Sequence, residues 1–331
     1  MRIFVYEFVT GGGLIGQDLP PTLVREADMM VRALLEDLAE LPGIQVLCSR
    51  DPRLPALSGC EVIGPAAGDE PFDLFLRGLA AADAAWPTAP ETGGALERLA
   101  RATLDRHKVL IGSSPDAIRV TTSKHDTFAF LGARGIPVVP TFSNAGDVPS
   151  WAGAWLVKPD DGAGSEGVRL VVDWSAARAQ LGAQAGRLVA QPWIDGTVRS
   201  LSLICAEGRA QLLSVNRQRM QCHDGHLSLA GITVNDDTDR TGKLAELAES
   251  IAAVIPALWG YVGVDFIETR HGPIVLEINP RLTTSYCGLR VALGINAAAM
   301  ILDLRKSGLP PHCRSREPGR PVEISMEIAS E

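Results

Sequence analysis

The sequence predicts an α/β unit built on a parallel sheet, followed by an α+β region of paired strands. Three observations carry this expectation. Short apolar runs alternate with helical stretches over residues 1–112; beyond about residue 137 the pattern changes to strand pairs separated by turn residues; and a hairpin near the C-terminal end carries acids inside apolar strands. The N-terminal strands are expected at 3–9, 44–48, 61–63, 84–86 and 109–111, with a helix over about 23–39. Residues 115–135 read as one helix, ended by Gly135 and Pro137. Further strands are expected at 155–158, 168–172, 188–194, 199–205, 211–216, 263–268 and 274–279, with helices near 243–257 and 290–305. This rhythm divides the chain into three lobes, 1–112, 113–189 and 190–331.

Composition narrows the class. With 331 residues, 46% hydrophobic and 21% charged, the chain can bury one large core or two to three smaller ones. A net charge of −8, with 31 Lys and Arg scattered and no basic run, offers no track for a nucleic-acid backbone. Six cysteines, Cys48, Cys60, Cys205, Cys222, Cys287 and Cys313, show no CxxC pair, which suits reduced thiols in a cytoplasmic enzyme. No apolar span long enough to cross a membrane occurs, and the N-terminal residues lack a signal-peptide pattern, so no membrane partner is expected. A homodimer is left open.

The strongest chemical signal is GVDFIETRHGPIVLEINPR, residues 263–281. His271-Gly272 is a turn signal, and folding about it sets Asp265 opposite Glu277. Side chains alternate along a strand, so Glu277 and Asn279 share a face. Two carboxylates and an amide oxygen form a donor set for a hard divalent cation, Mg²⁺ or Mn²⁺. Arg281 follows directly, where a guanidinium can bind a phosphoryl oxygen or stabilise an oxyanion. Cys222, His223 and His226 form a CHxxH cluster without a fourth zinc-type ligand and read as a polar loop.

The D…E-x-N-P-R arrangement resembles the metal-binding signature of ATP-grasp ligases, and the other parts of that pattern follow in order upstream. Lys124 in TTSKHDTF and Lys158 in WLVKPDDGAGSEGV match the family's two nucleotide lysines. Two ammonium groups on separate elements can grip the phosphates of ATP. The resemblance implies an ATP-grasp fold behind an N-terminal Rossmann-like pre-ATP-grasp domain, with catalytic roles for Arg281, Lys158 and Arg217. It implies that the segment LVAQPWIDGTVRSLSL supplies adenine contacts at Gln191, Trp193 and Ile194, with Asp195 toward the ribose. It also implies that the loop bearing Gly162, Gly164 and Ser165 is a lid over the phosphates. That loop joins two expected strands and does not open a helix, so it is not a dinucleotide fingerprint.

A second glycine pattern, Gly11, Gly13 and Gly16, follows the first strand, with Asp51 after the second. It supports an alternative, an NAD(P)- or flavin-dependent oxidoreductase, although Pro20-Pro21 stands between the glycines and the helix. On the ligase reading Gly11, Gly12 and Gly13 line the substrate cleft. The segments YEFVTGGG, AAWPTAPETGGAL and NPRLTTSYCGL are similar to tyramine–glutamate ligases of methanofuran- and methylofuran-type cofactor biosynthesis. This implies activation of the glutamate γ-carboxylate and capture by tyramine or tyrosine. Glu7, Glu91, Arg219, Thr283, Thr284 and Ser285 then read the substrates' charged and phenolic groups, while Tyr286 packs.

Overall fold

The structure, a computed structural model, describes residues 1–66, 68–147, 151–162, 164, 167–184, 186–310 and 319–326; Ser165 and Cys313 lie outside the described residues. The first unit runs β1 (Arg2–Glu7), α1 (Pro21–Ala39), β2 (Gln45–Ser49), β3 (Glu61–Ile63), α2 (Pro71–Ala80), β4 (Ala84–Thr88), α3 (Ala95–Asp105) and β5 (Val109–Leu110). Its five strands pair in parallel in the order β3-β2-β1-β4-β5. Ile3, Phe4, Val5 and Tyr6 are successive and all buried, as a strand covered on both faces requires. The carboxyl ends of β1 and β4 deliver Glu7 and the 89–94 loop to one edge, where ligands of open α/β sheets bind.

The expected helix over 115–135 is two helices, α4 (Pro115–Thr122) and α5 (Lys124–Gly132). The break is at Ser123, whose extended backbone (ψ 124°) frees its hydroxyl to accept from Asp126 N. Lys124 therefore stands on the first turn of a capped helix, fixed rather than mid-helix.

After it come β6 (Trp155–Pro159), β7 (Arg169–Val171), α6 (Trp174–Ala183), β8 (Leu188–Pro192), β9 (Thr197–Ala206), β10 (Arg209–His223), β11 (His226–Asp237), α7 (Lys243–Val254), β12 (Gly260–Thr269), β13 (Gly272–Asn279), α8 (Tyr286–Leu293), α9 (Ala297–Ser307) and β14 (Val322–Ser325). The strands form one sheet in the order β13-β12-β9-β10-β11-β7-β6-β8, with β14 on β11. β7 meets β11 through the single pair His226↔Arg169, so the β6–β8 lobe is hinged narrowly to the larger part of the sheet. The strand at 226–237 and the length of β10 go beyond the expected 211–216, and Cys222, His223 and His226 lie at the ends of this hairpin. The helix expected near 290–305 is likewise two, parted at Gly294 (φ 65°) with Asn296 capping α9.

The two units share a core. Met30, Leu34 and Leu38 of α1 pack with Leu289 of α8 and Ile301 of α9. Asp37 completes the junction, accepting from Tyr286 Oη at 2.6 Å and from Arg290 at 2.7–2.8 Å. Tyr286 thus packs. Among the described residues no single helix is long and apolar enough to cross a membrane.

Candidate active site

The β12–β13 hairpin sets Asp265 opposite Glu277 and Gly263 opposite Asn279. Asn279 Nδ2 lies 3.4 Å from Asp265 Oδ2, and Gln218 Nε2 donates to Asp265 Oδ1 at 2.9 Å. A side chain at Gly263 would stand 2.7 Å from Thr283 Cγ2, so glycine there lets the 280–285 tail fold back over the hairpin. Lys124 Nζ lies 3.4 Å from Glu277 Oε2 and donates to Gly162 O at 2.6 Å. One lysine therefore ties the acidic hairpin to the start of the glycine loop.

The charges respond to this crowding. Desolvation and the adjacent Glu277 charge push Asp265 well above the usual carboxylate range. Desolvation works the same way on Glu277 but is outweighed by Lys124 and Lys158, which hold it down at about 2. Burial brings the Lys158 ammonium down to about 8. Two adjoining carboxylates, one driven toward its protonated form, are a costly arrangement that a divalent cation relieves. Asp265 and Glu277 supply hard donors, and turning over the Asn279 amide, whose nitrogen faces Asp265 here, would add an oxygen, so the residues present fit such an ion. Among the described residues no cluster of three His, Cys, Asp or Glu side chains offers another metal site.

A cavity of about 560 Å³ opens beside the hairpin. Of the expected nucleotide and catalytic residues, Lys124, Lys158, Gly162, Gln191, Trp193, Ile194, Arg217, Asp265 and Glu277 line it. Gly164, at φ +66°, stands in the adjoining loop. Asp195 is exposed, outside the lining, and accepts from Trp193 Nε1 at 3.2 Å. Arg219 also lies outside it: opposite Gly231, which leaves room for its guanidinium, it reaches across β11 toward β14, where it pairs with Glu323 at 3.8 Å. Arg217 reaches the cavity while paired with Asp236 at 3.3 Å. Sequence reasoning missed Gln218, which follows from period-two alternation with buried Asn216, and the apolar walls Val139, Leu156, Met220, Leu227 and Leu276.

Of the residues expected to read the substrates, Glu7, Glu91 and Gly11 to Gly13 stand at the edge of the first unit. Glu91 clasps Arg281, with Nε to Oε1 at 3.0 Å and Nη2 to Oε2 at 2.9 Å; Glu91 is buried and Arg281 largely so. Arg281 Nη2 is also 3.4 Å from Asn279 Oδ1, which links this pair to the acidic hairpin. Glu7 accepts from Thr10 N at 2.7 Å and Thr10 Oγ1 at 2.8 Å, yet burial pushes its carboxyl up to about 7. Gly11 has no room for a side chain, since a Cβ would sit 2.3 Å from Glu7 O; Gly12 has φ +97°, and Gly13 N bonds Phe8 O. Thr283 Oγ1 pairs with Tyr261 Oη at 2.9 Å, Thr284 donates to Glu26, and Ser285 is buried. Next to Glu91, Thr92 Oγ1 and Gly93 N both bond Asp161 of the glycine loop. Behind them lies a hollow of about 440 Å³ walled by Tyr6, Phe8, Phe72 and Leu99, with the Arg98 guanidinium 3.7 Å from the Phe72 ring centre.

This geometry removes the dinucleotide alternative. Asp51, the acid that alternative needs, is chelated by Arg53, which also bonds Leu14 O and Gln17 O to brace the glycine turn. The following helix starts at Pro21, with Gln17–Pro20 between it and Gly16, so none of the glycines opens it.

Comparison with known proteins agrees with the geometry. The ATP-grasp domain family matches residues 121–285, and the pre ATP-grasp 3 domain matches residues 44–118. A crystal structure of a protein assigned to the ATP-grasp superfamily, from Archaeoglobus fulgidus, superposes with a TM-score of 0.72 at 25% identity, covering 98% of this chain and 92% of that one. The chain belongs to the ATP-grasp family. Two curated relatives are named as ligases. A tyramine–L-glutamate ligase of Methanocaldococcus jannaschii is 37% identical over 100 residues, 30% of this chain and 31% of that protein. The match therefore spans less than a third of that relative's length. An alpha-L-glutamate ligase of Xylella fastidiosa is 28% identical over 243 residues, 68% of this chain and 78% of that protein.

Proposed function

We propose that this protein activates the γ-carboxylate of glutamate with ATP and joins it to an aromatic amine, tyramine or tyrosine, releasing ADP and phosphate. The observation that carries this reading is the convergence of Lys124, Lys158, Asp265 and Glu277 on one cavity. A glutamate carboxylate oxygen attacks the γ-phosphorus and ADP leaves; the amine nitrogen then attacks the acyl carbon, loses a proton, and phosphate leaves. Glutamate as the acid is supported by both named relatives.

In this reading residues 1–112 form the pre-ATP-grasp lobe, 113–189 the lysine-bearing lobe and 190–331 the metal-bearing lobe, with ATP between the last two. Lys124 and Lys158 neutralise and orient the phosphates. A divalent cation held by Asp265, Glu277 and Asn279 would draw charge from the phosphate oxygens. Arg281, poised beside Asn279, meets the oxyanion of the tetrahedral intermediate, and Arg217 balances phosphate charge at the cavity mouth. The loop bearing Gly162 and Gly164 shields the acyl phosphate from water. Free Cys48, Cys60, Cys205, Cys222 and Cys287 agree with a cytoplasmic setting.

The aromatic hollow supports an aryl acceptor. Its wall at Thr92–Gly93 is two residues from Glu91, at most about 7 Å of chain. An amine held near Glu91 can therefore extend its ring between Phe8 and Phe72. The test is a panel of acids and amines read by ADP release: Phe72→Ala should raise KM for tyramine roughly tenfold while sparing short alkyl amines. Equal loss for both amine classes would remove the hollow from the acceptor site. A chelator should abolish ADP release, and Mg²⁺ or Mn²⁺ should restore it.

A further inference from the structure

Gln191 is 1% exposed and forms part of the cavity wall, yet its Oε1 has no hydrogen-bond partner. An unmet buried acceptor is disfavoured and marks a place where something else completes the bond. The amide nitrogen is accounted for, since Nε2 donates to Thr141 Oγ1 at 2.9 Å. Thr141 does not line the cavity and is itself 2% exposed; its hydroxyl donates to Val139 O at 3.0 Å. Main-chain bonds fix this strip on both sides. Val139 N bonds Val275 O at 2.9 Å, and Phe142 and Ala190 exchange a reciprocal pair at 2.8 and 2.9 Å.

The chain Gln191 Nε2 → Thr141 Oγ1 → Val139 O has a direction. A hydroxyl has one proton, and here it is spent on a buried carbonyl, so Thr141 can offer Gln191 only lone pairs. Turning the amide over would force that proton away from Val139 O to reach Gln191 Oε1, leaving one bond where there are now two. The amide is therefore held with its oxygen turned away from Thr141.

We infer that Thr141 is a positioning residue that fixes the Gln191 amide so that an acceptor, and no donor, meets the edge of the bound nucleobase. The inference rests on the cavity taking a nucleoside triphosphate. A base with an exocyclic amine at that edge, as in adenine, completes the unmet Oε1; a 6-oxo purine presents oxygen to oxygen and is rejected. Sequence alone places Gln191 near the base but gives no reason for the amide to face either way, because Thr141 lies 50 residues upstream.

The full-length protein should be titrated with Mg·ATP and Mg·ITP, and the two dissociation constants compared. The wild type should prefer ATP by roughly ten- to a hundredfold, the weight of one unmet buried polar group. Thr141→Val frees the amide to rotate and should shrink that preference at least fivefold. Thr141→Ser keeps the hydroxyl and should retain it. Adding Gln191→Glu to Thr141→Val should restore the preference, since an ionised carboxylate has no donor to present. A Thr141→Val protein that loses affinity equally for both nucleotides, with its preference intact, would overturn the positioning role. A wild type that binds neither nucleotide would instead overturn the ATP reading of the cavity, and the role of Thr141 with it.

Discussion

Glu7 is the residue where burial and chemistry conflict most openly. Its carboxyl is raised from 4.5 to about 7, so the stability it contributes is fully present below pH 4.5 and is lost as pH rises through 7. Glu7→Gln keeps an acceptor for Thr10 and removes the charge. Its stability relative to wild type should be near zero at pH 4.5 and grow to about 3 kcal/mol by pH 8, as measured by denaturant melts at both pH values. At the acidic hairpin, Asp265→Asn or Glu277→Gln should lower ADP formation at least a hundredfold, and wild-type turnover in both would remove the metal assignment. The hairpin itself was legible from its turn residues, but the turn forms at Arg270-His271, one residue before the expected His271-Gly272, and a register shift between Asp265 and Phe266 is what sets Asp265 opposite Glu277. The Arg281–Glu91 pair was not legible as a pair. Its members lie 190 residues apart, and only the docking of the first unit against the 280–285 tail brings them together.

At the scale of elements, the break between α4 and α5 decides where Lys124 points. Ser123→Ala removes the hydroxyl that accepts from Asp126 N and should cost about 1 kcal/mol, with a raised KM for ATP because Lys124 is the next residue. A stability loss without any change in KM would separate the cap from the site. The sequence suggested one long helix because neither Gly nor Pro falls between Pro115 and Gly132; the stop rests on Thr121 and Thr122 bonding back to Ile118, which favours a bend, and on a single capping serine. The strands β10 and β11 were understated for a different reason. Arg217, Gln218, Arg219 and Gln221 give no apolar alternation, and the partners that hold them, β9 and β14, are supplied by the sheet. The parallel sheet of the first unit was easier to read, since strands buried on both faces stand out as continuous apolar runs.

For the whole molecule, the clasp between α1 and α8 holds the first unit against the second sheet and its helices. Asp37 is 4% exposed and receives bonds from Tyr286 and Arg290, so Asp37→Ala strands the buried Tyr286 phenol, while Arg290 keeps Glu40 at 2.6 Å. It should cost roughly 3 kcal/mol in global stability and weaken the coupling of glutamate binding to turnover, seen as a raised KM for glutamate. The change from a parallel first sheet to paired strands was visible in the rhythm of the chain, whereas the narrow seam between β7 and β11 emerges only from the sheet order. Such a seam suits a lobe that closes over ATP while the acyl phosphate forms. The most direct measurement is the product set from Mg·ATP, glutamate and tyramine or tyrosine incubated with the purified protein. ADP, phosphate and a γ-glutamyl amide in equal amounts are expected; AMP and pyrophosphate, or no amide with either amine, would contradict the acyl-phosphate ligase described above.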